Sequence, residues 1–172
     1  ATKSSCIEST SSAALKITNS LFHDNGYVDS DYVIFCDDTA PITIESTTIT
    51  RNISTYPSVT LSNQAQNDIR NSIIWDNAGG SFDDGGQGIT NLEYNCVEGG
   101  AQGIGNTPYD PFFVTGAQGE FYLSATDSGQ SMDSSCLDFG DPNSLLIHGT
   151  TRTDEIADSG IIDIGYHYYL AP

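Results

Sequence analysis

Positive charge is what this 172-residue chain most lacks: five Lys plus Arg stand against 23 Asp plus Glu, a formal net charge of −18. Such a surface repels nucleic acid and anionic membranes, and it disfavours a polyanionic substrate unless a divalent cation bridges the two. There is no run approaching the roughly 20 apolar residues that a membrane-spanning helix needs. No stretch carries a useful amphipathic 3.6-residue stripe, which excludes a helical bundle or helical repeat. The four cysteines, Cys6, Cys36, Cys96 and Cys136, include no CxxC pair, so a structural zinc site is not expected. The three histidines, His23, His148 and His167, lie far apart and fit no triad or metal spacing. There is a single Trp, and the chain carries no signal peptide and begins with Ala rather than Met, so we expect that a leader was removed or that the chain is a fragment. The acid is scattered rather than gathered in one tail, and 37% hydrophobic content argues for an ordered fold.

What is present is a phrase written three times. "KITNSLFHDN", "TIESTTITRN" and "DIRNSIIWDN" end on Asn25, Asn52 and Asn77, 27 and 25 residues apart. Ile17, Ile44 and Ile69 occupy one position, and Phe22, Ile49 and Ile74 occupy another five residues on. Upstream of each phrase comes a second apolar patch: "CIES", "YVIFC" and "SVTLS". Short extended runs that recur at this period without crossover helices predict a parallel β-solenoid, each turn burying the same positions as its neighbours. Rungs would lie about 4.8 Å apart, with the isoleucines stacked inside. Asn19, Asn71 and the terminal Asn residues belong at corners, where Asn tolerates left-handed backbone and its amide can bond along the stack. After Asn77 the period fades into Gly-rich loops. We expect one domain over 1–172, with rungs over 1–96 and loop-rich terminal rungs and a cap over 97–172. Within that cap Ile161–Ile164 is expected to be a strand, and Tyr166, Tyr168 and Tyr169 a lid over the end of the stack.

Few lysines, many Ser, Thr, Asn and Gly, and an even cysteine count point to an oxidising, extracellular or cell-surface setting. Three pairings are open. The repeat sets Cys6 and Cys36 about one rung apart, which favours Cys6–Cys36 with Cys96–Cys136; four free, buried thiols are the alternative. Asn52-Ile53-Ser54 is a sequon and marks Asn52 as a glycosylation candidate.

In order along the chain come "NSIIWDN", "YNCVEGG", "YDPFFV", "SSCLDFGD" and "TRTDEIADSGIIDIGYHY". These resemble the carboxy-terminal part of right-handed parallel β-helix repeat proteins of the pectate-lyase-like superfamily, as found in secreted or surface proteins of bacteria. The resemblance implies an all-β, right-handed parallel β-helix with an irregular, aromatic-rich C-terminal cap. It also implies pairing of Cys96 with Cys136, whose equivalents recur in the family. Members of the family carry many more rungs before this ending.

Candidate chemistry is sparse. A lyase needs a base, and Arg51 is the basic residue at a rung corner. A glycosidase needs two carboxyls about 5–10 Å apart, and Asp24 and Asp76 fall at equivalent positions two rungs apart. Trp75, in register with His23, is expected on the outer surface, where an indole stacks on a sugar or anchors a protein, unless the following Gly-rich loop covers it. Asp154, Glu155, Asp158 and Asp163 crowd the last segment, with Asp138 and Asp141 earlier, and make calcium, at Asp154, Glu155 and Asp158, the one cofactor worth testing; none other is expected. We therefore expect a non-enzymatic extracellular structural protein that is surface-associated or stacks head-to-tail into filaments. Its partners would be copies of itself or a longer parent β-helix. The alternative is a carbohydrate-binding or carbohydrate-degrading module.

Overall fold

A computed structural model describes residues 5–10, 12–26, 32–37 and 39–171. The backbone winds through three parallel sheets of four strands each. The first coil is β1 (Ser5–Ser9), β2 (Leu15–Thr18) and β3 (Leu21–His23). The second is β4 (Tyr32–Cys36), β5 (Ile42–Glu45) and β6 (Thr48–Thr50). The third is β7 (Val59–Leu61), β8 (Gln66–Arg70) and β9 (Ile73–Trp75). A shorter fourth is β10 (Phe82–Asp83), β11 (Ile89–Glu93) and β12 (Cys96–Val97). Strands one coil apart pair in register, so each residue type at a given position meets its equivalent above and below.

Each sheet sends one apolar column inward. Ile7, Ile34, Val59 and Phe82 form the first; Ile17, Ile44, Ile69 and Leu92 the second; Phe22, Ile49, Ile74 and Val97 the third. The alternation seen in Ile42-Thr43-Ile44-Glu45, buried then half-buried, is the two-residue period of a strand with one face in the core. Each isoleucine taken fully out of water contributes about 1.5–3 kcal/mol, so the columns are the main source of stability.

The sharp corner between the second and third sheets is built the same way in every coil. Asn19, Ser46, Asn71 and Tyr94 all take left-handed backbone, with φ of 41, 48, 50 and 56°. The next residue then accepts a hydrogen bond from the coil before it. Ser20 N–H donates to Thr47 Oγ1, Thr47 N–H to Ser72 Oγ, and Ser72 N–H to Asn95 Oδ1, over separations of 27, 25 and 23 residues. The fourth coil thus continues the repeat with a shorter period. After the third sheet runs a second ladder: Asn52 Oδ1 accepts Asn25 N–H, and Asn77 Oδ1 accepts Asn52 N–H. The terminal asparagines bond along the stack as expected, whereas the Asn19 and Asn71 amides turn sideways to the carboxy-terminal segment.

The end of the fourth coil is covered by residues 101–107, not by the aromatic tail. Ile104 O accepts Tyr94 N–H, Thr107 N–H donates to Asn95 O, and Asn106 Nδ2 donates to Leu92 O. Gly103 lies so close to the coil beneath it that a Cβ would stand 1.8 Å from Leu92 O. Two antiparallel pairs follow, β13 (Phe113–Val114) with β14 (Tyr122–Leu123), and β15 (Gly149–Thr150) with β16 (Tyr168–Tyr169).

The expected strand over Ile161–Ile164 and the expected lid are both corrected. Residues 161–164 form no ladder, although Ile162 and Ile164 are buried. The tail instead runs as a strap across the side of the stack, along the left-handed corners. Gly165 N–H donates to Asn71 O in the third coil, Tyr166 N–H to Thr48 Oγ1 in the second, and His167 N–H to Asn19 Oδ1 in the first. A strap of this kind needs acceptors aimed sideways, which the corner residues supply and a stack end does not. Tyr168 stacks on Tyr122 at 4.0 Å, and Tyr169 is exposed. Among the described residues no helix is long and apolar enough to cross a membrane.

Candidate functional site

The outer face of the third sheet carries a row in register: His23 beside Thr50 beside Trp75. The β13–β14 hairpin folds over this row. Phe121 lies 4.9 Å from the His23 ring and meets Phe113 edge-on at 5.3 Å. Trp75 is therefore outward, as its position predicts, and only partly covered. The cover comes from the hairpin rather than from the Gly-rich loop that follows it in sequence.

Next to the row runs a column of left-handed residues, Asp24, Arg51 and Asp76, with φ of 52, 52 and 53°. Arg51 spans a gap there. One terminal nitrogen is 2.6 Å from Asp24 Oδ2 and the other 2.8 Å from Glu120 Oε2 of the hairpin, with the guanidinium 4.6 Å over the Phe121 ring. The Arg51 hydrogen bond holds the Asp24 carboxyl below the usual range, and Asp24 in turn raises the Arg51 pKa. Arg51 is thus held in ion pairs at the outer corner, bridging the first coil to the hairpin.

Between the row and the hairpin lies a cleft of about 320 Å³. Thr50, Arg51, Trp75 and Asp76 form its sheet side, and Phe113, Glu120 and Phe121 its hairpin side. Thr50 is 1% exposed, and its Oγ1 has no hydrogen-bond partner among the described residues. Sequence reasoning put Trp75 in register with His23 and set Asp24, Arg51 and Asp76 at equivalent corners, without joining the two sets. It missed Thr50, whose only signal was its place in register between His23 and Trp75. It missed Glu120 and Phe121 entirely, because nothing local says which face the hairpin covers.

The acidic loop does not assemble as expected. Asp154 turns to Arg152 at 2.6 Å, Glu155 is exposed with φ of 58°, and Asp158 turns inward to the buried His167 at 2.9 Å. The carboxylates that do converge are Asp138, Asp158 and Asp163, with oxygens within 4.8 Å of one another. Asp158 Oδ2 accepts Asp163 N–H, and Asp163 accepts from Asp138 N–H and the Thr151 hydroxyl. His167 Nδ1 faces Gly165 O, which can only accept, so Nδ1 carries a proton and the other ring nitrogen shares one with Asp158. Burial pushes the Asp163 carboxyl up to about 6, with the nearby Asp158 charge adding to it. This junction ties the strap to the body of the protein.

No disulfide joins the cysteines; all four are free. Cys6–Cys36 is excluded by register. Ser9, not Cys6, lies opposite Cys36, so the two thiols are three positions apart, about 10 Å along the strand and on opposite faces. Cys96 and Cys136 do meet: both are buried in one cluster with Ile73, Leu123 and Ile164, and the Cys96 thiol also donates to Tyr109 O at 3.1 Å. The contact with Cys136, then burial, drives the Cys96 thiol far up in pKa.

Asn52 is not an open sequon. It is 1% exposed, and Nδ2, the atom a glycan would occupy, donates to Phe22 O, Thr50 O and Asn77 Oδ1.

Residues 2–114 match the family model described as "Right handed beta helix region". No curated protein and no solved structure matches the chain.

Proposed function

The chain belongs to the right-handed β-helix family, and we propose that it is a non-enzymatic structural β-helix of the cell exterior, assembling coil upon coil with copies of itself. The observation that carries this reading is a contrast between coils. Ile34, Ile42 and Ile49 in the second coil are fully buried, whereas Ile7, Leu15 and Phe22 at the equivalent positions of the first are half-open. The outer edges of β1, β2 and β3 carry no further strand among the described residues. A parallel strand laid on those edges would close three rows of backbone bonds and extend three apolar columns at once. At the far end Ile104, on the segment crossing the fourth coil, is 66% exposed. Arg51, engaged by Asp24 of the first coil and Glu120 of the hairpin, supports a structural role for this corner. Its acidic, lysine-poor composition supports the exterior.

Sedimentation velocity with negative-stain microscopy tests the reading. A net charge of −18 opposes self-association, so rods should lengthen with protein concentration and with salt, which screens the repulsion. Ile7→Asp should leave the fold intact and stop growth. A wild-type chain that stays monomeric at high concentration and high salt would overturn it.

A further inference from the structure

We propose that an apolar groove beside the first coil receives Ile104 of a second copy, and that this contact fixes the register in which copies stack. The proposal rests on the head-to-tail reading above and names the surfaces that meet.

Residues 104–107 are the corner of a fifth coil. In the earlier coils the left-handed residue donates its N–H to a carbonyl one coil on: Asn19 to Glu45 O, Ser46 to Arg70 O. Tyr94 donates in the same way to Ile104 O. Gly105 then takes the left-handed place, with φ of 70°. Asn106 Oδ1 accepts Asn95 N–H, just as Asn95 Oδ1 accepts Ser72 N–H. Thr107 follows as the parallel bridge partner of Cys96. Ile104 is therefore the equivalent of Arg70 and Glu45, and in the first coil that place belongs to Thr18.

The two ends of this ladder are complementary. At the carboxy end the N–H groups of Gly105 and Asn106 have no partner among the described residues. At the amino end Thr18 O accepts the Ser20 hydroxyl, as Glu45 O accepts that of Thr47, but it lacks the corner N–H that Glu45 O also receives. Gly105 N–H to Thr18 O of the second copy, and Asn106 N–H to its Ser20 Oγ, would repeat across the joint the bonds that each coil makes with the next.

The same register joins two apolar features that have no role within one copy. Ile104 is 66% exposed at the carboxy end. At the amino end Leu145 and Leu146, 89% and 45% exposed, wall a groove of about 340 Å³ against Thr18, Asn19 and Ser46. Ladder continuity sets Ile104 one rung, about 4.8 Å, from Thr18 of the second copy, at the mouth of that groove. There an isoleucine and both leucines leave water together. A second copy is the occupant because this chain carries the donors and the apolar side chain at the spacing that the groove and its acceptors require.

Sedimentation velocity of the full chain reads the growth constant. Ile104→Asp and Leu145→Lys should each weaken growth at least about tenfold, with the thermal midpoint of the monomer unchanged, since both side chains are exposed. The two substitutions in one chain should grow better than either alone, which a disturbed fold would not do. Rods that grow equally in either single variant, or a double variant no better than the singles, would overturn this register and leave end-on stacking standing. A wild-type chain that stays monomeric would overturn both. If Ile104→Asp lowers the midpoint, Ile104→Thr decides: growth equal to wild type there overturns the proposal.

Discussion

Asn19 and His167 lie 148 residues apart and exchange two hydrogen bonds, His167 N–H to Asn19 Oδ1 at 2.8 Å and Asn19 Nδ2 to His167 O at 3.0 Å. The Asn19 side chain thereby mimics a peptide group and extends the strap onto the first coil. The strap also engages the second and third coils, so it clamps the stack lengthwise.

Removing that clamp should cost measurable stability. Asn19→Ala loses both bonds, leaves the His167 N–H buried without a partner, and places alanine at φ of 41°. We expect a loss of about 2 kcal/mol in urea unfolding. Hydrogen exchange should rise first in 165–168. Equal protection in the variant would show that the strap is held from elsewhere.

The Asn52 ladder makes two linked predictions. Chain purified from a glycosylating host should show no glycan at Asn52 by intact mass, since its amide nitrogen is fully engaged. Asn52→Ala should lower stability by at least about 2 kcal/mol, because Asn25 N–H and the carbonyls of Phe22 and Thr50 lose their partner. A folded, glycosylated Asn52 would contradict the packing.

Asp163 should make the protein more stable in mild acid than its other carboxylates alone would. Its folded pKa is about 6, above the unfolded value near 4, so between those limits the native state binds the extra proton. Stability contributed by this group is present below about pH 4 and falls as pH rises to about 6, by roughly 2–3 kcal/mol in all. Subtracting the unfolding curve of Asp163→Asn from that of the wild type should reveal this slope; parallel curves would refute it.

Thiol labelling should divide the cysteines. Cys6 is exposed, while Cys36, Cys96 and Cys136 are buried, with burial pushing the Cys36 thiol up to about 11. One alkylation per native chain is expected, at Cys6, and protection of the other three until the chain unfolds. Native labelling of Cys36 would place it outside the core.

Much of the stack was legible because a solenoid repeats its own environment. Ile17, Ile44 and Ile69 share a column for the same reason that they share a phase in the sequence. The fourth coil was harder to see, since its period shortens to 23 and its turn residues are glycines, which carry no apolar mark. Tyr94 takes the left-handed corner that Asn holds elsewhere, which hides the equivalence further. The cysteines misled because a shared repeat places strands side by side without setting register to the residue, and three positions separate a bridge from none.

Local chemistry alone determined the coiling: β-branched residues in a two-residue period, corner Asn and Ser, and a repeat length near 25 leave a stacked parallel helix as the way to bury every column. Where the last 60 residues fold back was decided only in three dimensions. The strap finds Asn19, Thr48 and Asn71 on three different coils, and the hairpin carries Glu120 and Phe121 onto the row of His23, Thr50 and Trp75. Those contacts join residues from about 45 to nearly 150 positions apart, and no periodicity in a chain encodes which of its exposed faces a distant segment will cover.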